Sequence, residues 1–223
     1  MSFLSKTKIG EFGETFFKAI DSYMEKKYED MSCDEVYRSY ADFVHFVKEN
    51  REGKGSSSGF TGLSELLVLR FLIHLLGNDF DSKQIADGEV YKFVSKNNGT
   101  VLTHNAKVKK SKVRPDIVIY ENEKGYEDGN PFAVIEIKTY LTDSFETFYK
   151  AIGKIERIRS ESKNLKAAII NYDKLSEKGN VNQKIQDSVK QRNWLGYITL
   201  EENKKPLKEV LSFLELKKLA KKS

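Results

Sequence analysis

The apolar run Phe132-Ala133-Val134-Ile135-Glu136-Ile137-Lys138 is interrupted twice, at Glu136 and at Lys138. Read as a β-strand, its period of two puts both charges on one face, roughly 6.6 Å apart along the backbone. A second apolar run, Ile117-Val118-Ile119-Tyr120, is preceded by Arg114-Pro115-Asp116. A hairpin joining the two runs brings Asp116 beside Glu136 and makes a carboxylate pair with an adjacent amine. Two carboxylates at that range repel unless a cation lies between them, and Mg²⁺ favours one or two carboxylates completed by waters and phosphate oxygens. Such a site suits a phosphodiester. A bound metal acidifies water and offsets charge developing on the phosphate oxygens, while the Lys138 ammonium positions that water or stabilises the transition state. The plainer alternative is an ion pair between Glu136 and Lys138 on a solvated sheet face.

The elements that must hold these groups follow from periodicity. Residues 11 to 50 carry apolar side chains three or four apart, first at Phe12, Phe16, Ala19, Ile20 and Tyr23 and then at Val36, Tyr40, Phe43 and Val47, which predicts a helical N-terminal region over 1–52. Gly53, Gly55, Ser56, Ser57, Ser58 and Gly59 have the composition of a connector, placed at 53–60. A helix is predicted from Thr61, as N-cap, to Leu76; it is apolar on nearly every side and therefore belongs inside the fold. Strand-like runs follow at Val90–Val94, Val101–Val108, Asp116–Tyr120 and Phe132–Lys138, with a loop holding Gly125 and Gly129 before the last. Helical and apolar segments then alternate: a helix over 143–159, a strand Ala167–Asn171, a helix Val181–Arg192, a strand Leu195–Leu200 and a helix Leu207–Leu219. An antiparallel meander followed by this alternation describes an α/β core of three layers, a mixed sheet with helices on both faces. The core is assigned to 61–200 and a basic C-terminal helix or tail to 201–223.

Pro115-Asp116, 19 residues, then Glu136-Ile137-Lys138 on an apolar strand resembles the signature of the PD-(D/E)XK nuclease superfamily, which includes restriction endonucleases and Holliday-junction resolvases. The resemblance spans about Thr61 to Leu200. It implies a restriction-endonuclease-like fold, Asp116 and Glu136 as metal ligands, Lys138 as the catalytic lysine, and a further catalytic and metal-binding glutamate on the helix before the meander. Glu65 fits that position, in a helix where an unpaired carboxylate would be costly. Glu14, in Gly10-Glu11-Phe12-Gly13-Glu14, is its rival. The implied cofactor is Mg²⁺, with Mn²⁺ able to substitute, and the implied substrate is DNA, branched or junction DNA included.

Charge is consistent with such a partner without requiring it. Thirty-eight Lys and Arg against 33 Asp and Glu give a net +5, concentrated in two places. One is the tail with Lys204, Lys205, Lys208, Lys217, Lys218, Lys221 and Lys222. The other is Lys107, Lys109, Lys110, Lys112 and Arg114, the candidate nucleic-acid contacts. A single cysteine, Cys33, excludes a disulfide scaffold, and the longest apolar stretch is too short and too charged to span a bilayer. No secretory signal is legible at the start, so a cytoplasmic protein with no membrane partner is expected. A homodimer is expected from the aromatic residues of the N-terminal helices and from the need to cut two strands. Two other functions stay open: a non-catalytic nucleic-acid-binding protein with this fold, and an RNA-processing nuclease.

Overall fold

Ile117 to Tyr120 and Ala133 to Ile135 are apolar at consecutive positions, so both faces of those strands need cover. The structure, a computed structural model, describes residues 18, 22, 30–49, 58–76, 80–84, 91–139, 145–173 and 181–220. Its elements in chain order are α1 (Cys33–Glu49), α2 (Ser58–Leu75), β1 (Phe80–Gln84), β2 (Tyr91–Ser95), β3 (Val101–His104), β4 (Ile117–Tyr120), α3 (Glu123–Glu127), β5 (Ala133–Lys138), α4 (Phe145–Glu161), β6 (Lys166–Asn171), α5 (Val181–Lys190), β7 (Leu195–Thr199), α6 (Leu207–Val210), a 3₁₀ turn (Ser212–Leu214) and α7 (Lys217–Ala220). The strands form one sheet in the order β1 to β7. Pairing is antiparallel from β1 to β5 and parallel from β5 to β7. This is the mixed α/β sheet with helices on both faces that the sequence predicts.

Alternation along the central strands sorts the core into two layers. Ile117, Ile119, Ile135, Ile137 and Ile170 face α2, whose Leu67, Val68, Phe71 and Leu72 cover them; Val36 and Tyr40 of α1 and Leu207, Leu211 and Leu214 complete that layer. With α1 on its outer side, α2 needs apolar residues nearly all round. Val118, Tyr120, Val134 and Ile169 face the other way, beneath Phe148, Ile152, Ile155 and Ile158 of α4 and Ile185 of α5. Both parallel crossovers thus put their helices on one face of the sheet. A capping box starts α1: the Glu35 carboxylate accepts from Ser32 N–H at 2.7 Å and Ser32 Oγ accepts from Glu35 N–H at 3.2 Å. None of the described helices is long and apolar enough to cross a membrane.

Several boundaries differ from the sequence reading. Thr61 lies inside α2, which begins at Ser58, so the Gly/Ser stretch already ends in helix. β1, Phe-Asp-Ser-Lys-Gln, has one apolar residue and no alternation; backbone pairing with β2 makes it a strand. The run from Val101 stops at His104 because Asn105 takes a left-handed conformation, φ 54°. The Gly125 loop contains a helical turn capped by Asn122, whose side chain accepts from Gly125 N–H at 2.9 Å. The single C-terminal helix is three short pieces, with Glu215 left-handed at φ 59° between the 3₁₀ turn and α7.

Gly196 in β7 lies under Phe213, and a Cβ built on it would be 2.1 Å from the Phe213 ring. Gly196→Ala is expected to destabilise the protein by about 1–3 kcal/mol through overpacking. Phe213→Ala in the same chain should remove most of that increment, and urea denaturation of the two single variants and the double variant measures both.

Candidate active site

The carboxyl ends of β3, β5, β6 and β7 and the amino end of β4 lie at one edge of the sheet, as the pairs His104 with Ile117, Lys138 with Asn171 and Asn171 with Thr199 require. Crevices at the carboxyl ends of parallel strands are where open α/β sheets bind ligands. Here β4 and β5 part. Their ladder stops at Ile117 and Ile135. One residue earlier, the Asp116 carbonyl accepts from Asn105 N–H at 3.0 Å, on the β3 side. Its carboxylate turns the other way, and Oδ2 accepts from Ile137 N–H at 2.6 Å. The side chain of Asp116 thus replaces a strand partner for β5 and is fixed at the fork.

Glu136 follows the period of two onto the α4 face and has no exposed surface. Lys138, two residues on, donates to Glu136 Oε2 at 3.0 Å, to Asp116 Oδ2 at 3.4 Å and to the carbonyl of Ile137 at 2.9 Å. The predicted trio is therefore one cluster. A fourth member comes from α4: Lys154 Nζ lies 3.2 Å from Glu136 Oε1 and 3.1 Å from Oε2. Sequence reasoning missed it, and its only signal is a lysine on the polar side of an amphipathic helix that also carries Lys150, Arg157 and Arg159. Burial, and after it the neighbouring Asp116 carboxylate, push the Glu136 carboxyl above its ordinary range despite the two lysines. Burial also works to lower Lys138, but the attraction of Asp116 and Glu136 outweighs it and holds the ammonium above its ordinary value. Lys138 is thus a fixed positive charge rather than a base at neutral pH.

Glu65 is not in this cluster. On α2, across the sheet, its Oε2 lies 2.6 Å from His104 Nε2 and accepts from Asn105 Nδ2 at 3.1 Å. The expected third carboxylate thus belongs to a separate polar group at the same sheet edge. Its rival, Glu14, lies outside the described residues. Among the described residues no three His, Cys, Asp or Glu side chains are grouped so as to hold a metal ion. The donor set at the fork nevertheless suits a hard cation. Both acids already share one positive group, Lys138, while Asp116 Oδ1 has no hydrogen bond among the described residues and Glu136 Oε1 is held by Lys154 alone.

The basic residues Lys107, Lys109, Lys110, Lys112 and Arg114 alternate with buried Ala106, Val108, Ser111 and Val113, so all five are exposed. The loop lies along the α4 face, with Val108 and Val113 in its core layer. Its tip leads away from the fork. Lys109 stands over the Tyr126 ring at 5.3 Å and Lys110 reaches the Asn130 side chain, both in the β4–β5 connection at the far edge of the sheet. Gly129, left-handed at φ 66°, admits this packing, because a Cβ there would lie 3.0 Å from Lys109 Cβ. In the tail, Lys204 pairs with Asp34 at 2.6 Å and Lys218 pairs with Glu215. Of the aromatic residues behind the dimer expectation, Tyr40 packs against the chain's own Tyr172, the rings tilted and their centroids 4.6 Å apart. Phe12, Phe16, Phe17 and Tyr23 lie outside the described residues.

The family described as the Y4bO third domain matches residues 80–210. The chain belongs to the Y4bO third-domain family. No curated protein matches the chain. The Y4bO third-domain match runs from β1 through α6, so it takes in the whole sheet together with Asp116, Glu136, Lys138 and Lys154, and leaves out α1, α2 and Glu65.

At the same edge, Asp173 follows β6. Burial, with the Glu201 carboxylate nearby, raises its carboxyl to about 6. A raised acid favours the folded state below its unfolded pKa of about 3.9, and that contribution is lost as pH rises through about 6. Asp173→Asn is therefore expected to raise the thermal midpoint relative to wild type at pH 7 and to leave it unchanged or lower at pH 3.5. Paired thermal melts at the two pH values check the sign.

Proposed function

We propose that the chain is a metal-dependent nuclease that hydrolyses phosphodiester bonds of DNA. The observation that carries this reading is the cluster at the fork: two carboxylates from adjacent strands, one with no exposed surface, joined through a lysine two residues from the second acid. A structural ion pair has no need of a second buried acid, since each buried carboxylate brings a desolvation cost. The motif resemblance to PD-(D/E)XK nucleases points the same way, as does the exposure of Lys107, Lys112 and Arg114 on the loop that leads into Asp116.

Asp116 and Glu136 would hold Mg²⁺, or Mn²⁺ in its place. The chemistry supplied by the bound ion is acidification of a water and neutralisation of charge on the phosphate oxygens. The residues do the rest. Asp116 is immobilised by Ile137 N–H, which keeps its free oxygen directed at a fixed point. Lys138, held by three acceptors, stays protonated and presents a positive charge where a pentacoordinate phosphate accumulates negative charge. Arg114 and its exposed neighbours contact the flanking backbone phosphates, which sets affinity without reading sequence.

A second reading has one observation in its favour. Lys138 and Lys154 together neutralise both carboxylates, as a purely structural cluster on a DNA-binding protein would. Cleavage assays separate the two. Purified protein is expected to cut supercoiled, linear or four-way-junction DNA with Mg²⁺ and not with EDTA, and Asp116→Ala, Glu136→Gln and Lys138→Ala should each lower the rate by about 10²-fold or more. Binding to DNA should survive in all three. Near-wild-type cutting by any of them removes the assignment, and intact binding with no cutting of any substrate favours the second reading.

A further inference from the structure

The two lysines on Glu136 are not equivalent. Lys138 is built into β5: its ammonium is shared among Glu136 Oε2, Asp116 Oδ2 and the carbonyl of Ile137, and its side chain is 19% exposed. Lys154 arrives from α4, touches no acceptor of the cluster except Glu136, and is 42% exposed. Lys138 leaves Asp116 Oδ1 and Glu136 Oε1 unoccupied, and Lys154 covers the second of these. A divalent cation shared by the two acids needs that oxygen. The four groups are already neutral together, two carboxylates against two ammonium ions, so a divalent ion adds two uncompensated charges, and one ammonium moving away halves that excess. Lys154 can move, because its stem reaches water and losing Glu136 leaves it solvated rather than buried.

We propose that Lys154 is a displaceable counter-ion, seated on Glu136 while no metal is bound and driven into solvent when a divalent cation binds Asp116 and Glu136. The inference rests on the metal-dependent reading above. Lys154 is then a positioning residue acting through Glu136, and it competes with the metal for the same oxygen. The sign of its removal is diagnostic. If the pair only supports the fold, losing Lys154 loosens Glu136 and weakens metal binding; if Lys154 competes, losing it strengthens metal binding.

The test is calorimetric titration of the full chain with MgCl₂ and MnCl₂ at pH 8, for wild type, Lys154→Met and Lys154→Arg, with thermal melts of the same samples. Lys154→Met is expected to bind Mg²⁺ about three- to fivefold more tightly, the upper part of the range of a partly exposed ion pair. Lys154→Arg keeps the competing charge and should stay within about twofold of wild type. Without metal the Lys154→Met midpoint should lie below wild type, and saturating Mg²⁺ should raise it by more than it raises wild type. If Lys154→Met does not fold, Lys154→Gln makes the same comparison. Unchanged or weaker Mg²⁺ binding by the neutral variant overturns the counter-ion role and leaves the metal site standing. Wild type that takes up neither ion overturns this inference and the metal-dependent reading together.

Discussion

A carboxylate with no exposed surface lies on an interior strand near its carboxyl end, and the arrangement around Glu136 is what such a group demands. An unpaired buried charge costs several kcal/mol, so the group must find hydrogen bonds and opposite charge inside the protein. The strand provides the first through Lys138, which its period of two places on the same face. The helix after the strand provides the second through Lys154. That requirement constrains where α4 can sit. Ala151, Ile152, Ile155 and Ile158 must seat against Val134 and Ile169 while Lys154, between them in sequence, projects over Glu136. Apolar packing and ion pairing thus agree on one rotation of the helix.

The fork between β4 and β5 meets the other half of the demand. Where two antiparallel strands separate, backbone groups lose partners, and buried N–H groups without partners are rare. Asp116 resolves this by dividing its bonding, with its carbonyl toward Asn105 and its carboxylate toward Ile137 N–H. The bond that completes the sheet is the same bond that aims the acid at Glu136. Since the Y4bO third-domain match covers residues 80–210, the fork and all four charged groups lie inside the matched region.

The parts of this site legible in the sequence are those fixed by short-range rules. Glu136 and Lys138 share a face because strands alternate, and Asp116 adjoins them because a hairpin connects two apolar runs. Lys154 was not legible, since nothing local distinguishes it from Lys150 or Arg157; only the seating of α4 on the sheet selects it. Glu65 was legible as a charge in an apolar helix that needs a partner, but the partner it takes depends on which sheet face α2 covers. The same limit explains β1, whose strand state comes from pairing with β2, and the broken C-terminal helix, where Glu215 is drawn to Lys166 on β6 at 2.5 Å and interrupts an otherwise helical pattern.

Glu65 remains connected to the fork by two hydrogen bonds that meet at Asn105. Its carboxylate accepts from the Asn105 side chain; Asn105 holds the left-handed conformation that ends β3; and Asn105 N–H binds the Asp116 carbonyl. A left-handed non-glycine residue needs local hydrogen bonds to offset its strain, and Asn is among the side chains best able to make them. His104, buried beside it and 2.6 Å from the same carboxylate, limits the space in which Asn105 could relax. The helix acid therefore bears on the backbone of Asp116 without touching its carboxylate. An acid at this helix position can thus matter to the cluster through the geometry of β3, with no hydrogen bond of its own to Asp116 or Glu136.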